Sequence, residues 1–201
     1  MFFSKSQKYV LELVAHGYLF DHGFVESKKT GDVVFKDGSP QPWLSYPFLD
    51  FFIPRLKNDI SLFEYGLGNS TRYFSKKVIH HNGVEHDQSW FAKIEKELGG
   101  DNFKFVDEAN YVSSISDFGK KYNLIIVDGI LREKCLMYCK DFLEEDGVII
   151  LDDAERNEYV ESSNALLQQG FNRLDFVGMK AFGRHASSTA IFYKKGNWLN
   201  I

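Results

Sequence analysis

From Ser61 onward, short apolar runs alternate with stretches of helical periodicity, a pattern that produces a parallel sheet covered by helices on both faces. The strand candidates are SLFEY (61–65), KVIHHNGVE (77–85), NFKFVD (102–107), YNLIIVD (122–128), DGVIILD (146–152), FNRLDFVG (171–178) and SSTAIFYKK (187–195). Between them, STRYFSKK, QSWFAKIEKELG, REKCLMYCKDFLEE and ERNEYVESSNALLQQG place apolar residues three and four apart. Gly99 and Gly170 stop two of these helices, where a residue tolerant of positive φ is favoured. Only MKAFGRHA separates the last two strands, too short a segment for a crossover helix, so they pair antiparallel as a hairpin.

The 201 residues suit one domain, long enough to bury about 70% of its unfolded surface. Residues 1–60 carry a helix around SQKYVLELVAHGYL, a polar segment ESKKTGDVVFKDGSPQP and an aromatic stretch WLSYPFLDFFIPRL. With no linker or repeat present, they are expected to form an N-terminal extension packed on the core of a domain spanning 61–201. The net charge is −4 and there is no long basic run, so nucleic acid is not an expected partner. Cys135 and Cys139 are too few to ligate zinc and are read as reduced, partly buried thiols. MFFSKSQKYV lacks the apolar core of a signal peptide, and no run of about 18 apolar residues exists to span a bilayer. The expectation is a cytoplasmic protein without a membrane partner.

In an open α/β sheet, ligands bind beyond the carboxyl ends of the strands, beside the first strand. The loop of SLFEYGLGNSTRYF places Gly66 and Gly68 there, and Asn69, Ser70 or Thr71 can cap the helix that follows. Glu85 ends the second strand about 20 residues further on, where a carboxylate can accept hydrogen bonds from both hydroxyls of a ribose. Asp107, at the third strand end, is positioned for an adenine edge, and Asp128 closes the row at the fourth. Together these residues point to an adenosine ligand. A nicotinamide dinucleotide fingerprint would require glycine where Thr71 stands. S-adenosylmethionine has no pyrophosphate to seat, and its cationic sulfonium and α-amino groups suit the carboxylate of Glu64.

FEYGLGNST, GVEHDQSW, YNLIIVDG and GVIILDD together resemble motifs of the class I S-adenosylmethionine-dependent methyltransferases, over roughly residues 45–195. The resemblance implies a Rossmann-like, mostly parallel sheet of seven strands in the order 3-2-1-4-5-7-6. It also implies that Glu64 and the Gly66–Gly68 loop, with Asn69 and Ser70 beside it, line the methionine part, that Glu85 holds the ribose, and that His86 and Asp107 border the adenine. Ser70 stands where the family's third glycine falls.

Methyl transfer is an in-line displacement at an activated carbon, so the protein mainly aligns donor and acceptor and removes a proton where necessary. The acceptor side is expected at strand ends four and five, the terminal hairpin loop and the N-terminal extension. Asp128, Asp152 and Asp153 cluster there, similar to the metal-dependent catechol-type O-methyltransferases. Three oxygen ligands with water would suit Mg²⁺. The favoured competing reading is that Asp152 or Asp153 caps the following helix. Asp128 and Asp152 are the candidate catalytic carboxylates. The hairpin loop carries Lys180, Arg184 and His185, a positive tip suggesting an anionic or hydroxyl-bearing acceptor with His185 as a general base. His80 and His81 are read as structural, and Trp43, Tyr46 and Phe48 either wall the acceptor pocket or cap the core.

The expected function is methylation of a small molecule using S-adenosylmethionine. O-methylation is preferred, because DGILRE stands where aromatic N-methyltransferases carry an Asn/Asp-Pro-Pro-Tyr type motif. The alternatives are a magnesium-dependent catechol-type enzyme, an NAD-linked oxidoreductase, and a non-catalytic scaffold that binds the cofactor.

Overall fold

The computed structural model describes residues 4–201. Met1–Phe3, the start of the segment read above as lacking a leader, lie outside the described residues. Strands β1 (Ser61–Tyr65), β2 (His80–Glu85), β3 (Phe103–Phe105), β4 (Tyr122–Val127), β5 (Leu143–Leu151), β6 (Asn172–Gly178) and β7 (Ser187–Tyr193) form one seven-stranded sheet. Its order is β3-β2-β1-β4-β5-β7-β6, as the sequence motifs imply. The first five strands run parallel, and β7 is antiparallel to both β5 and β6. Chain connections leave β1 in one direction and β4 in the other, so the crevice of the fold opens between these two strands.

The helices are α1 (Lys5–His16), α2 (Tyr18–Asp21), α3 (Phe24–Thr30), α4 (Tyr46–Phe52), α5 (Asn69–Phe74), α6 (Gln88–Leu98), α7 (Glu108–Tyr111), α8 (Arg132–Cys139) and α9 (Val160–Gln168). The helix expected over 132–145 ends at Cys139, and after a 3₁₀ turn Leu143 enters β5 opposite Tyr122. LEED has high helix propensity, but pairing with β4 overrides it. The helix expected from Glu155 begins as a 3₁₀ turn at Asn157, and β2 starts at His80 instead of Lys77.

Strand alternation divides the apolar residues between two layers. Phe63, Tyr65, Ile125, Val127, Ile149 and Leu151 pack against α8 and α9, where the free thiols of Cys135 and Cys139 are fully buried. Burial pushes Cys135 up to about 12 and holds Cys139 well above the ordinary thiol value, leaving both thiols unreactive. On the opposite layer, Leu62, Leu124, Ile126, Val148 and Ile150 meet Tyr46, Phe48, Leu49 and Phe52 of α4. Tyr46 and Phe48 therefore cap the core and do not wall a pocket. Among the described residues, no helix is long and apolar enough to cross a membrane.

Phe52 stacks on Phe48 at 4.9 Å and meets Phe74 and Trp198 edge-on. Phe52→Ala should therefore destabilise the protein by about 3–5 kcal/mol in urea unfolding, the usual cost of deleting a buried aromatic ring. A loss below about 1 kcal/mol would show that α4 is not integral to the core.

Candidate active site

The loop after β1 turns at Gly66, which has φ +91° and donates from its N–H to Val84 O at 2.9 Å. A Cβ there would lie 2.7 Å from Gly129 N, in the loop after β4, so glycine is required by both conformation and contact. Gly68 differs: its backbone is extended, and a Cβ would meet nothing nearer than Trp90 Nε1 at 3.9 Å. The missing side chain at 68 leaves open room in a cavity of about 750 Å³.

Glu85 anchors one end of this cavity. Its Oε2 accepts from Leu67 N at 3.0 Å, and its Oε1 accepts from the N–H groups of His86 and Asp87, both at 2.8 Å. These bonds fix the carboxylate and leave Oε2 able to accept another donor. His86 and Trp90 line the cavity beside it, and Trp90 is oriented by donating Nε1–H to Leu67 O. Asn69 and Ser70 complete this wall.

At the other end lie Asp128, Asp152 and Asp153, interleaved with three cations. Arg132 pairs with Asp128 Oδ1 at 3.0 Å and donates to Asp152 O at 2.8 Å. Asp152 is buried; its Oδ1 accepts from Thr189 Oγ1 at 2.8 Å and its Oδ2 from Lys180 Nζ at 2.7 Å. Asp153 Oδ1 accepts from the same ammonium and Oδ2 from Arg156. Burial, then the neighbouring Asp152 carboxylate, hold Asp128 above the ordinary carboxylate range, against the pull of Arg132. Burial would raise Asp153 too, but Lys180, Arg132 and Arg156 override it and hold it below that range. For Lys180, burial alone would lower the ammonium, and the two carboxylates more than offset it.

Four non-glycine residues have positive φ among those described, and three surround this end: Leu131 (49°), Asp153 (53°) and Phe182 (61°). They sit on the loops after β4, β5 and β6, and strained backbone of this kind collects at functional sites. The N-terminal extension roofs the cavity from both sides. Asp32 accepts from Asn69 Nδ2 at 3.0 Å and from Arg72 NH1 at 3.2 Å, while Trp43 Nε1 donates to Ala181 O at 2.8 Å. Trp43 also meets Phe182 edge-on at 5.8 Å.

The cavity thus brings together Gly66, Gly68, Asn69, Ser70, Glu85, His86, Asp128 and Asp152. Four expected residues fall elsewhere. Glu64 shares the sheet face of Leu62, where it is buried against His81 Nε2 at 2.9 Å, and strand alternation turns it away from the cavity. Asp107 is exposed and caps α7, accepting from Asn110 N at 3.0 Å. His185 and Arg184 lie exposed at the hairpin tip, outside the lining. Neither Asp152 nor Asp153 caps a helix, since the 3₁₀ turn leading into α9 is flanked by Arg156 and α9 itself by Tyr159, neither with a side-chain cap. Asp32, Trp90, Arg132, Arg156 and Phe182 join the lining without having been singled out from sequence. Of these, Arg132 had a signal, four residues after Asp128.

The donor set does not fit Mg²⁺. The ammonium of Lys180 lies between the two β5 carboxylates, in the place a cation would have to take, Asp128 Oδ1 faces Arg132, and Asp152 and Asp153 are further held by Thr189 and Arg156. Among the described residues, no group of three or more His, Cys, Asp and Glu side chains is arranged to hold a metal.

No protein-family model matches the sequence, and neither does any curated protein. Solved structures do match in fold. A protein assigned as a caffeoyl-CoA O-methyltransferase from Staphylococcus aureus aligns with TM-score 0.57 at 14% identity, covering 96% of this chain and 100% of that one. An rRNA methylase from Streptococcus thermophilus aligns with TM-score 0.53 at 14% identity, covering 73% and 93%. A spermidine synthase from Thermotoga maritima aligns with TM-score 0.54 at 14% identity, covering 77% and 60%. The chain has the fold of the class I S-adenosylmethionine-dependent methyltransferases.

The two loop glycines should respond differently to substitution. Gly66→Ala should cost at least about 1–3 kcal/mol, from strain at positive φ and contact with Gly129, whereas Gly68→Ala should stay within about 0.5 kcal/mol of the parent. Equal losses in chemical denaturation would mean that Gly68 is structural and not a cradle.

Proposed function

We propose that this protein transfers the methyl group of S-adenosylmethionine to a hydroxyl of a small acceptor without the help of a metal ion. The observation that carries this reading is the continuity of the cavity, which joins the Gly66–Gly68 loop and Glu85 to Asp128 and its neighbours. The room left by Gly68 fits a ligand passing close to the backbone, Glu85 would hold ribose hydroxyls, and Trp90 with His86 would flank the adenine. The cofactor supplies an activated methyl group with its own leaving group, so the protein's work is alignment and proton removal.

Asp128 is suited to that removal. Arg132 orients Oδ1, leaving Oδ2 to accept a proton, and the raised affinity of the carboxylate for protons makes it a better base than an ordinary aspartate. A small acceptor is favoured by the roof formed by Trp43 and Phe182 over the cavity. Two buried free thiols suit a reducing compartment such as the cytoplasm. In this reading residues 61–201 are the cofactor-binding domain and residues 1–60 shape the acceptor side.

Calorimetry should show binding of S-adenosylmethionine or S-adenosylhomocysteine and none of NAD⁺ at similar concentration; the reverse preference would sink the proposal. Glu85→Ala should weaken cofactor binding by about 1.5–3 kcal/mol, the scale of lost charge-assisted hydrogen bonds. Turnover should rise with pH along a limb lying above the ordinary carboxylate range, because Asp128 must be deprotonated to act and its proton is held more tightly than in the unfolded chain. By the same sign, the stability that protonated Asp128 contributes is present at low pH and is lost as pH rises through the folded-state value. Asp128→Asn should abolish the kinetic limb, and a limb that persists in this variant would assign proton removal elsewhere.

A further inference from the structure

We propose that the ammonium of Lys180 is a built-in cation, fixed between the two carboxylates after β5, and that its remaining N–H positions the acceptor oxygen. The second half rests on the methyl-transfer reading; the first does not. Lys180 Nζ lies 2.7 Å from Asp152 Oδ2 and 2.5 Å from Asp153 Oδ1, and its side chain is only 18% exposed. An ammonium has three donors, so one remains after these two bonds. Lys180 lines the cavity together with Asp128, the candidate base.

The surroundings are built to deliver this side chain. Tyr46 N donates to Met179 O at 2.8 Å, and Trp43 Nε1 donates to Ala181 O at 2.8 Å, so the residues on either side of Lys180 are both tied to the N-terminal extension. Gly183 N closes a turn onto Lys180 O at 3.0 Å, and the next residue but one, Phe182, is held at positive φ. On the receiving side, Asp152 is locked by Thr189 Oγ1, which itself accepts from Ser45 N at 3.0 Å. A solvated hairpin tip needs none of these ties. Two carboxylates withdrawn from water require a counter-charge, and Mg²⁺ between them would have to displace the ammonium that already lies there. A fixed ammonium meets the charge requirement with directional donors and no ion to bind or lose.

The test is the gain of an ion site when the ammonium is removed. Mn²⁺, read by the loss of its free electron paramagnetic resonance signal, is titrated into the full-length protein, Lys180→Ala, and Lys180→Ala combined with Asp152→Asn. Lys180→Ala is expected to bind Mn²⁺ at least about tenfold more tightly than the parent and to gain thermal stability as the ion is added. Adding Asp152→Asn should remove both effects. Parent protein that binds Mn²⁺ as tightly as Lys180→Ala would overturn the proposal. So would a Lys180→Ala chain that takes up no ion, whether it is folded or stays unfolded at every ion concentration. None of these outcomes depends on S-adenosylmethionine, so a failed methyl-transfer reading remains distinguishable. With an acceptor in hand, Lys180→Ala should raise its KM about tenfold or more while cofactor affinity stays unchanged, with partial rescue by Mn²⁺. An unchanged acceptor KM would confine Lys180 to charge compensation and reject its positioning role.

Discussion

Everything at the mouth of this sheet depends on how closely the loop after β1 passes the loop after β4. Gly66 and Gly129 face each other with no side chain between them, and a Cβ on either would collide with its surroundings, Gly66 with the opposite backbone and Gly129 with the Tyr111 hydroxyl. This approach lets Glu85, on one side of the switch point, and Asp128, on the other, open into a single cavity. A wider separation would leave two shallow clefts, each too far from the other for a group bound in one to react in the second.

The second determinant is charge confinement. The end of the cavity beside β4 and β5 concentrates three aspartates and three cations, Asp152 among them buried, and each carboxylate has a named partner. Buried ion pairs of this kind are weak sources of stability, because desolvation consumes much of the attraction. Their value here is geometric: they set the proton affinity of Asp128 and fix the orientation of the loops after β4, β5 and β6. The strained backbones of Leu131, Asp153 and Phe182 are the local cost of that arrangement.

The fold was legible because its signals are local and repeated. Apolar runs mark β1 to β7, and the brevity of the 179–186 segment alone requires the antiparallel hairpin. At the site, Glu85 and Asp128 were legible because strand ends deliver side chains to a predictable place. Glu64 was misplaced because a motif position does not say which sheet face a strand residue takes; alternation puts it beside His81. Asp107 and His185 were misplaced because the strand end and the loop tip each continue past the cavity wall. Lys180 could be named but not interpreted. Whether a loop lysine faces water or turns inward onto Asp152 depends on Trp43 and Tyr46, more than 130 residues earlier, and on no local pattern.

Those same ties have a kinetic consequence for how the molecule is made. Trp43 and Ala181 are 138 residues apart in the chain, and Ser45 and Thr189 are 144 apart, so the roof of the cavity closes only when the two ends of the polypeptide meet. Contacts of such long range form after the loop-closure entropy has been overcome, and they slow folding relative to the local helices. During synthesis, β1 to β4 are available to pair well before β7 leaves the ribosome. The parallel part of the sheet therefore precedes the closing of the cavity roof, which waits for β7 and the hairpin before it.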